Sequence, residues 1–127
     1  MDKSATQWMV EPLKKYAIFS GRARRAEFWW FQLLCFLVGG ALLFGEIAIV
    51  GFDQAMNSVL APVDIFSLAI LVPTLTVSFR RLHDIDRSAW WLLIAVVPLV
   101  GIFVLLYWHC QPGTVGENRF GMDPIGC

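Results

Sequence analysis

Between Arg25 and Arg80 the chain contains no lysine and no arginine. Charged residues are scarce throughout, at 16%, against about 25% in an ordinary soluble domain. Cysteine is scarce as well. Cys35, Cys110 and Cys127 form no C-x-x-C and no Cys/His grouping at metal-ligand spacing. No H-E-x-x-H box occurs, and no glycine-rich loop runs into Lys-Ser or Lys-Thr. These absences leave no reason to expect a metal, a phosphate-loop cofactor or an enzyme. Net charge is zero, and no nucleic-acid partner is expected.

What is present is apolar. Hydrophobic residues make up 57% of the 127, and mean hydropathy is +0.63. They gather in three stretches, read as transmembrane helices over 27–51, 60–80 and 89–109. Each is about the twenty residues that an α-helix needs to cross about 30 Å of hydrocarbon. Three buried helices of a soluble bundle would need polar outer faces. The third stretch, AWWLLIAVVPLVGIFVLLYWH, has none. The expected fold is therefore all-α: a polytopic membrane protein with three transmembrane helices and a short amphipathic N-terminal interfacial helix. The first apolar run is too long, and starts too late, for a cleavable signal.

Charge placement sets the expected topology. Nine of the ten Lys and Arg residues fall before the first stretch or between the second and third. The positive-inside bias puts those segments in the cytoplasm. The division is then a cytoplasmic arm 1–26, a cytoplasmic connector 81–88 and an extracytoplasmic tail 110–127. The N-terminus is expected in the cytoplasm and the C-terminus in the periplasm of a bacterial inner membrane. On that topology Cys110 and Cys127 lie in an oxidising compartment, where they could pair.

Local signals refine the picture. Pro12 suits the first turn of a helix in the arm, and Met9, Leu13, Tyr16 and Ala17 share one face; a disordered arm is the alternative. Gly39, Gly40, Ala41 and Gly45 offer a smooth patch for close helix approach. Glu46 reads as an interfacial glutamate near the outer end of the first helix. Pro62 and Asp64 mark a helix start, with Asp64 as a capping residue rather than a proton carrier. Pro73 interrupts the second helix, and Pro98 with Gly101 the third. The tail, rich in Gly and Pro, reads as turns.

Three charged or glycine-rich motifs punctuate the apolar segments: FSGRARRAEFWW at 19–30, RRLHDIDRSAWW at 80–91 and PGTVGENRFGMDP at 112–124. In this order they closely resemble domain-of-unknown-function family 805, small bacterial inner-membrane proteins. The resemblance covers nearly the whole chain. It implies a multi-pass helical fold in the inner membrane and supplies no reaction, substrate or cofactor.

Chemistry in the second motif is disfavoured by its own composition. His83, Asp84 and Asp86 could ligate a divalent ion, but three arginines within the same stretch oppose a cation. Ser88 with His83 shows no nucleophile–base geometry. The expected role is structural. Arg80 and Arg81 offset a helix dipole, Asp86 or Ser88 caps the next helix, and Trp29, Trp30, Trp90 and Trp91 anchor the interface. Arg22, Arg24 and Arg25 are expected to pair with Asp84 and Asp86, or to hold anionic lipid headgroups. The candidate interaction belt is thus Arg22, Arg24, Arg25, Glu27, Arg80, Arg81, His83, Asp84, Asp86 and Arg87. Only His83 lacks a local duty, and an imidazole can titrate near neutral pH. The function expected is a non-enzymatic scaffold, sensor or partner modulator, binding a membrane-protein partner or its own copies. The alternative is a small oligomeric channel or transporter, for which only Gln32, Ser67, Thr74 and Thr76 offer mid-depth polar groups.

Overall fold

A computed structural model describes residues 3–125. Among them it holds five α-helices and one 3₁₀ helix, and no strand. The α-helices are α1 (Ala5–Lys14), α2 (Arg25–Val50), α3 (Phe52–Asn57), α4 (Pro62–Asp84) and α5 (Val100–Cys110); the 3₁₀ helix is Ala89–Val96.

Among the described residues, two helices are long and apolar enough to cross a membrane. These are α2, with 26 residues, and α4, with 23. At 1.5 Å per residue α2 is about 39 Å long, more than the hydrocarbon thickness. Its apolar side chains point outward: Phe36 and Phe44 are 76% exposed and Ile49 85%. In water such a surface would drive aggregation, whereas lipid covers it without cost. The packed core is small. Ala23, Phe28, Phe31 and Val77 form it, with Cys35 against them. Gly39 faces the Phe66 ring of α4 with room for a Cβ, at 3.6 Å, and Gly45 faces open space, so neither glycine is required for the helices to approach.

The α4 start matches its sequence signal. Pro62 opens the helix, and the Asp64 carboxylate accepts the Ala61 amide at 3.1 Å. At the same end Glu46 accepts the Ser58 hydroxyl at 2.6 Å. In the arm, α1 begins earlier than Pro12 suggested. Ser4 and Gln7 form a reciprocal cap, so Pro12 lies inside the helix rather than in its first turn.

Residues 89–109 do not form one continuous helix. The 3₁₀ helix runs for eight residues, the chain reverses, and α5 runs for eleven. At about 2.0 and 1.5 Å rise per residue, each piece is about 16 Å long, roughly half a hydrocarbon core. The reversal has local causes. Pro98 has no amide to continue a helix. Leu99 adopts φ 65°, a left-handed conformation unusual for a non-glycine residue. Gly101 then passes so close to the Ile94 carbonyl that no Cβ fits. The ends of the hairpin meet. Trp91 and Trp108 pack edge to face with ring centroids 5.5 Å apart.

Candidate functional site at the charged end of the bundle

An α-helix leaves its last four carbonyls without intrahelical partners. The last turn of α4 is closed by segments from both sides of the sequence. From the arm, the Ala23 amide donates to the Arg80 carbonyl at 3.0 Å. From the tail, the Thr114 amide and hydroxyl donate to the Asp84 carbonyl at 2.8 and 3.1 Å, and the Asn118 amide group donates to the His83 carbonyl at 2.9 Å. The tail therefore packs onto the connector. Three crossings would instead set these two on opposite faces of a membrane. The hairpin reversal at Pro98–Gly101 is what brings residues 110–125 back.

Half of the charged side chains of the belt lie inside this cap. Arg22, Arg80, Arg81, Glu27 and Asp84 are buried. Arg22 places two nitrogens 2.8 Å from Asp84 Oδ1, and Arg81 Nη1 lies 2.7 Å from Asp84 Oδ2. One carboxylate so bridges two guanidiniums. The surplus positive charge is met by backbone dipoles. Arg22 donates to the Thr114 and Gly116 carbonyls, and Arg81 to those of His109 and Gln111. Arg80 pairs with Glu27 at 2.6 Å, tying α4 to α2. Gly113 passes beside Asp84, so close that an added Cβ would overlap the carboxylate.

The expected pairing of the arm with the connector is present as Arg22–Asp84. Asp86 instead meets Arg119 of the tail at 3.1 Å. Arg25 reaches the Cys110 carbonyl at 3.3 Å, and Arg24 stacks over Trp8, 5.4 Å from the ring centroid. Arg81 serves Asp84 and tail carbonyls rather than only offsetting the helix dipole. Ser88, not Asp86, caps the following helix, accepting the Trp90 amide at 3.4 Å. His83 has a duty after all. Its ring stacks on Phe120 at 4.0 Å, and Nδ1 lies 3.0 Å from the Gly21 carbonyl. His83, Asp84 and Asp86 thus turn to three different neighbours, and no three metal-ligating side chains converge among the described residues. Trp29, Trp30, Trp90 and Trp91 are all exposed. Cys127 lies outside the described residues, so its pairing with Cys110 does too.

The arm makes a second attachment, deeper along α4. Pro73 cannot donate to the carbonyl four residues earlier. That carbonyl, on Ala69, accepts the Tyr16 hydroxyl at 2.7 Å. The Thr76 hydroxyl lies 3.0 Å from the Pro73 carbonyl and 3.3 Å from that of Tyr16. Within α1, Glu11 is buried between Lys3 and Lys15, at 2.9 and 3.0 Å. Burial works to raise its pKa, but hydrogen bonds and charge from the two ammonium groups outweigh it and hold the carboxyl below its usual value.

The tail residues Gly113, Thr114, Asn118 and Phe120 were missed as part of the site. The only sequence signal for them is the third motif itself.

Outward-facing apolar helices closed at one end by a buried ionic cap fit an all-helical, multi-pass membrane protein, and related proteins specify the bacterial inner membrane. Over 117 residues the chain is 40% identical to inner membrane protein YhaH of Escherichia coli K12, covering 92% of this chain and 95% of that one. Over 118 residues it is 43% identical to inner membrane protein YhaI of the same strain, covering 93% and 95%. The profile of the DUF805 family, proteins of unknown function, matches residues 16–122. The chain belongs to that family. No solved structure matches it.

Proposed function

We propose that the chain is a non-enzymatic inner-membrane protein that presents a rigid cytoplasmic cap to a membrane-protein partner or to another copy of itself. The observation that carries this reading is that the acidic groups and the imidazole of the second motif are already engaged within the protein. Asp84, Glu27 and Asp86 are each held by arginine, and His83 is stacked and hydrogen-bonded. A general acid or base must have its proton within reach of a substrate; Glu27, His83 and Asp84 are buried, and the exposed Asp86 is tied to Arg119. A channel would have to use Gln32, Ser67, Thr74 and Thr76; Ser67 and Thr76 bond back to their own helix, at Val63 and Pro73, while the buried Thr74 hydroxyl has no partner among the described residues.

The same reading sets a revised topology: two crossings, α2 and α4, with a re-entrant hairpin over 89–109. Both the arm and the tail then lie in the cytoplasm. All ten Lys and Arg residues fall on that side, because Arg119 joins the other nine, and none occurs in the 51–61 loop. This satisfies the positive-inside bias better than three crossings do.

Two measurements test the proposal. A green fluorescent protein fused after residue 127 should fluoresce, and alkaline phosphatase at the same point should stay inactive; the reverse pattern refutes the topology. Purified protein in vesicles should pass no ions above the rate of empty vesicles, while a photo-crosslinker at Asp86 should give one discrete adduct. Saturable ion flux would refute the non-transport reading.

A further inference from the structure

Arg22, Arg80, Arg81 and Arg119 each have a carboxylate partner. Arg87 does not. Its guanidinium carbon lies 4.3 Å from the Trp108 ring centroid and 6.0 Å from that of Trp91. Among the described residues those rings are the only partners of its side chain. A guanidinium carries five N–H donors, and stacking on indole satisfies none of them. Arg87 also lines a cleft of about 320 Å³, shared with Ile85, Tyr107, Trp108, Gln111 and Thr114. The Tyr107 hydroxyl and Gln111 amide add donor capacity to its walls. The cleft thus offers one unneutralised cation, extra donors and no carboxylate.

We propose that this cleft binds the phosphodiester of a membrane glycerophospholipid, with Arg87 as its ion-pair partner. The shared chemistry is a tetrahedral oxyanion, which free phosphate could also supply. Two observations favour lipid. Trp91, Trp108 and the exposed Tyr107 surround the site, and amphipathic rings of this kind sit at headgroup depth. A phosphodiester carries a single negative charge, matching the single guanidinium, whereas free phosphate carries about −1.5 to −2 near neutrality.

The test uses the full chain in detergent, with native mass spectrometry reading the bound lipid. Phosphatidylglycerol competes against monogalactosyldiacylglycerol, which has no phosphate, and inorganic phosphate is the soluble competitor. Wild type should prefer phosphatidylglycerol. Arg87→Gln should lose about fivefold of that preference, the factor expected for one basic residue at such a surface. Arg119→Gln should keep it, and Arg87→Lys should keep most of it. Equal losses in Arg87→Gln and Arg119→Gln would overturn the proposal. Release of lipid by millimolar inorganic phosphate would overturn its assignment to lipid. A measurement on unaltered protein guards against misfolding of the variants. Phosphatidylglycerol should shield Arg87 from phenylglyoxal, read by peptide mapping, and the galactolipid should not; no difference between the two lipids overturns the site.

Discussion

Replacing Asp84 by Asn should be the most damaging single change in the cap. The carboxylate is 3% exposed and stands between Arg22 and Arg81, at 2.8 and 2.7 Å. Removing its charge leaves two buried cations facing each other. At about 5 Å and an effective dielectric of about 20 they repel by about 3 kcal/mol. Breaking a buried pair by deleting one partner costs about 3–5 kcal/mol in all. Arg22→Met should cost less on the charge side, because Asp84 keeps Arg81 as a one-to-one partner. It does strand the Thr114 and Gly116 carbonyls, at about 1–3 kcal/mol for each buried group left unmatched. The double variant removes the repulsion, so its loss should fall short of the sum by about 1–3 kcal/mol. Denaturant unfolding in micelles, followed by tryptophan fluorescence, gives all three values. Two outcomes would refute the reasoning: losses additive to within about 0.5 kcal/mol, or an Asp84→Asn loss at the level of an exposed ion pair, below about 1 kcal/mol.

Gly113→Ala should push the tail off Asp84 and cost about 1–3 kcal/mol as an overpacking change; faster tryptic cleavage after Arg119 in the folded protein reads it. Tyr16→Phe should cost about 1–3 kcal/mol by orphaning the Ala69 carbonyl. In a Pro73→Ala background, where an amide returns to that carbonyl, the same change should cost distinctly less, and an equal loss in both backgrounds would disprove the link. Glu11 gives a pH dependence of defined sign. Its folded-state pKa lies below the ordinary value of 4.5, so its contribution is present above pH 4.5 and is lost as pH falls through the folded value. Trp8 fluorescence, reporting α1, should be steady from neutral pH to about 4.5 and change below it, and Glu11→Gln should abolish that acid transition.

The legible parts of the fold were those written in side-chain identity. Pro62 and Asp64 announced a helix start because proline and a first-turn carboxylate have few other uses in that order. The Arg22–Asp84 pair was readable as opposite charges on one side of the membrane, although which of three arginines would win was not. The third apolar segment reads from hydropathy as one continuous helix, whereas the structure divides it into a 3₁₀ helix and α5. Hydropathy measures how many residues lipid will accept and carries no record of whether the backbone continues or turns back. Pro98 and Gly101 were visible as an interruption, but the reversal depends on the Leu99 torsion and on Gly101 passing against the Ile94 carbonyl. The role of the tail was least legible. It meets the arginines of the cap through the carbonyls of Gln111, Thr114 and Gly116, and every residue type carries a carbonyl.

The wiring of Arg22 also fixes an order of events during synthesis. Its acceptors on Thr114 and Gly116 lie 92 and 94 residues downstream. At about 5–20 residues per second, ribosomes take roughly 5–20 s to make that length. Throughout that interval the arginine is made and its acceptors are not, and after Asp84 emerges one carboxylate must serve two guanidiniums alone. The first-made segment therefore acquires its final surroundings only when the last motif arrives. Ribosome pausing before residue 112 would lengthen the life of a species with an open cap, the form in which the cations remain accessible to other acceptors.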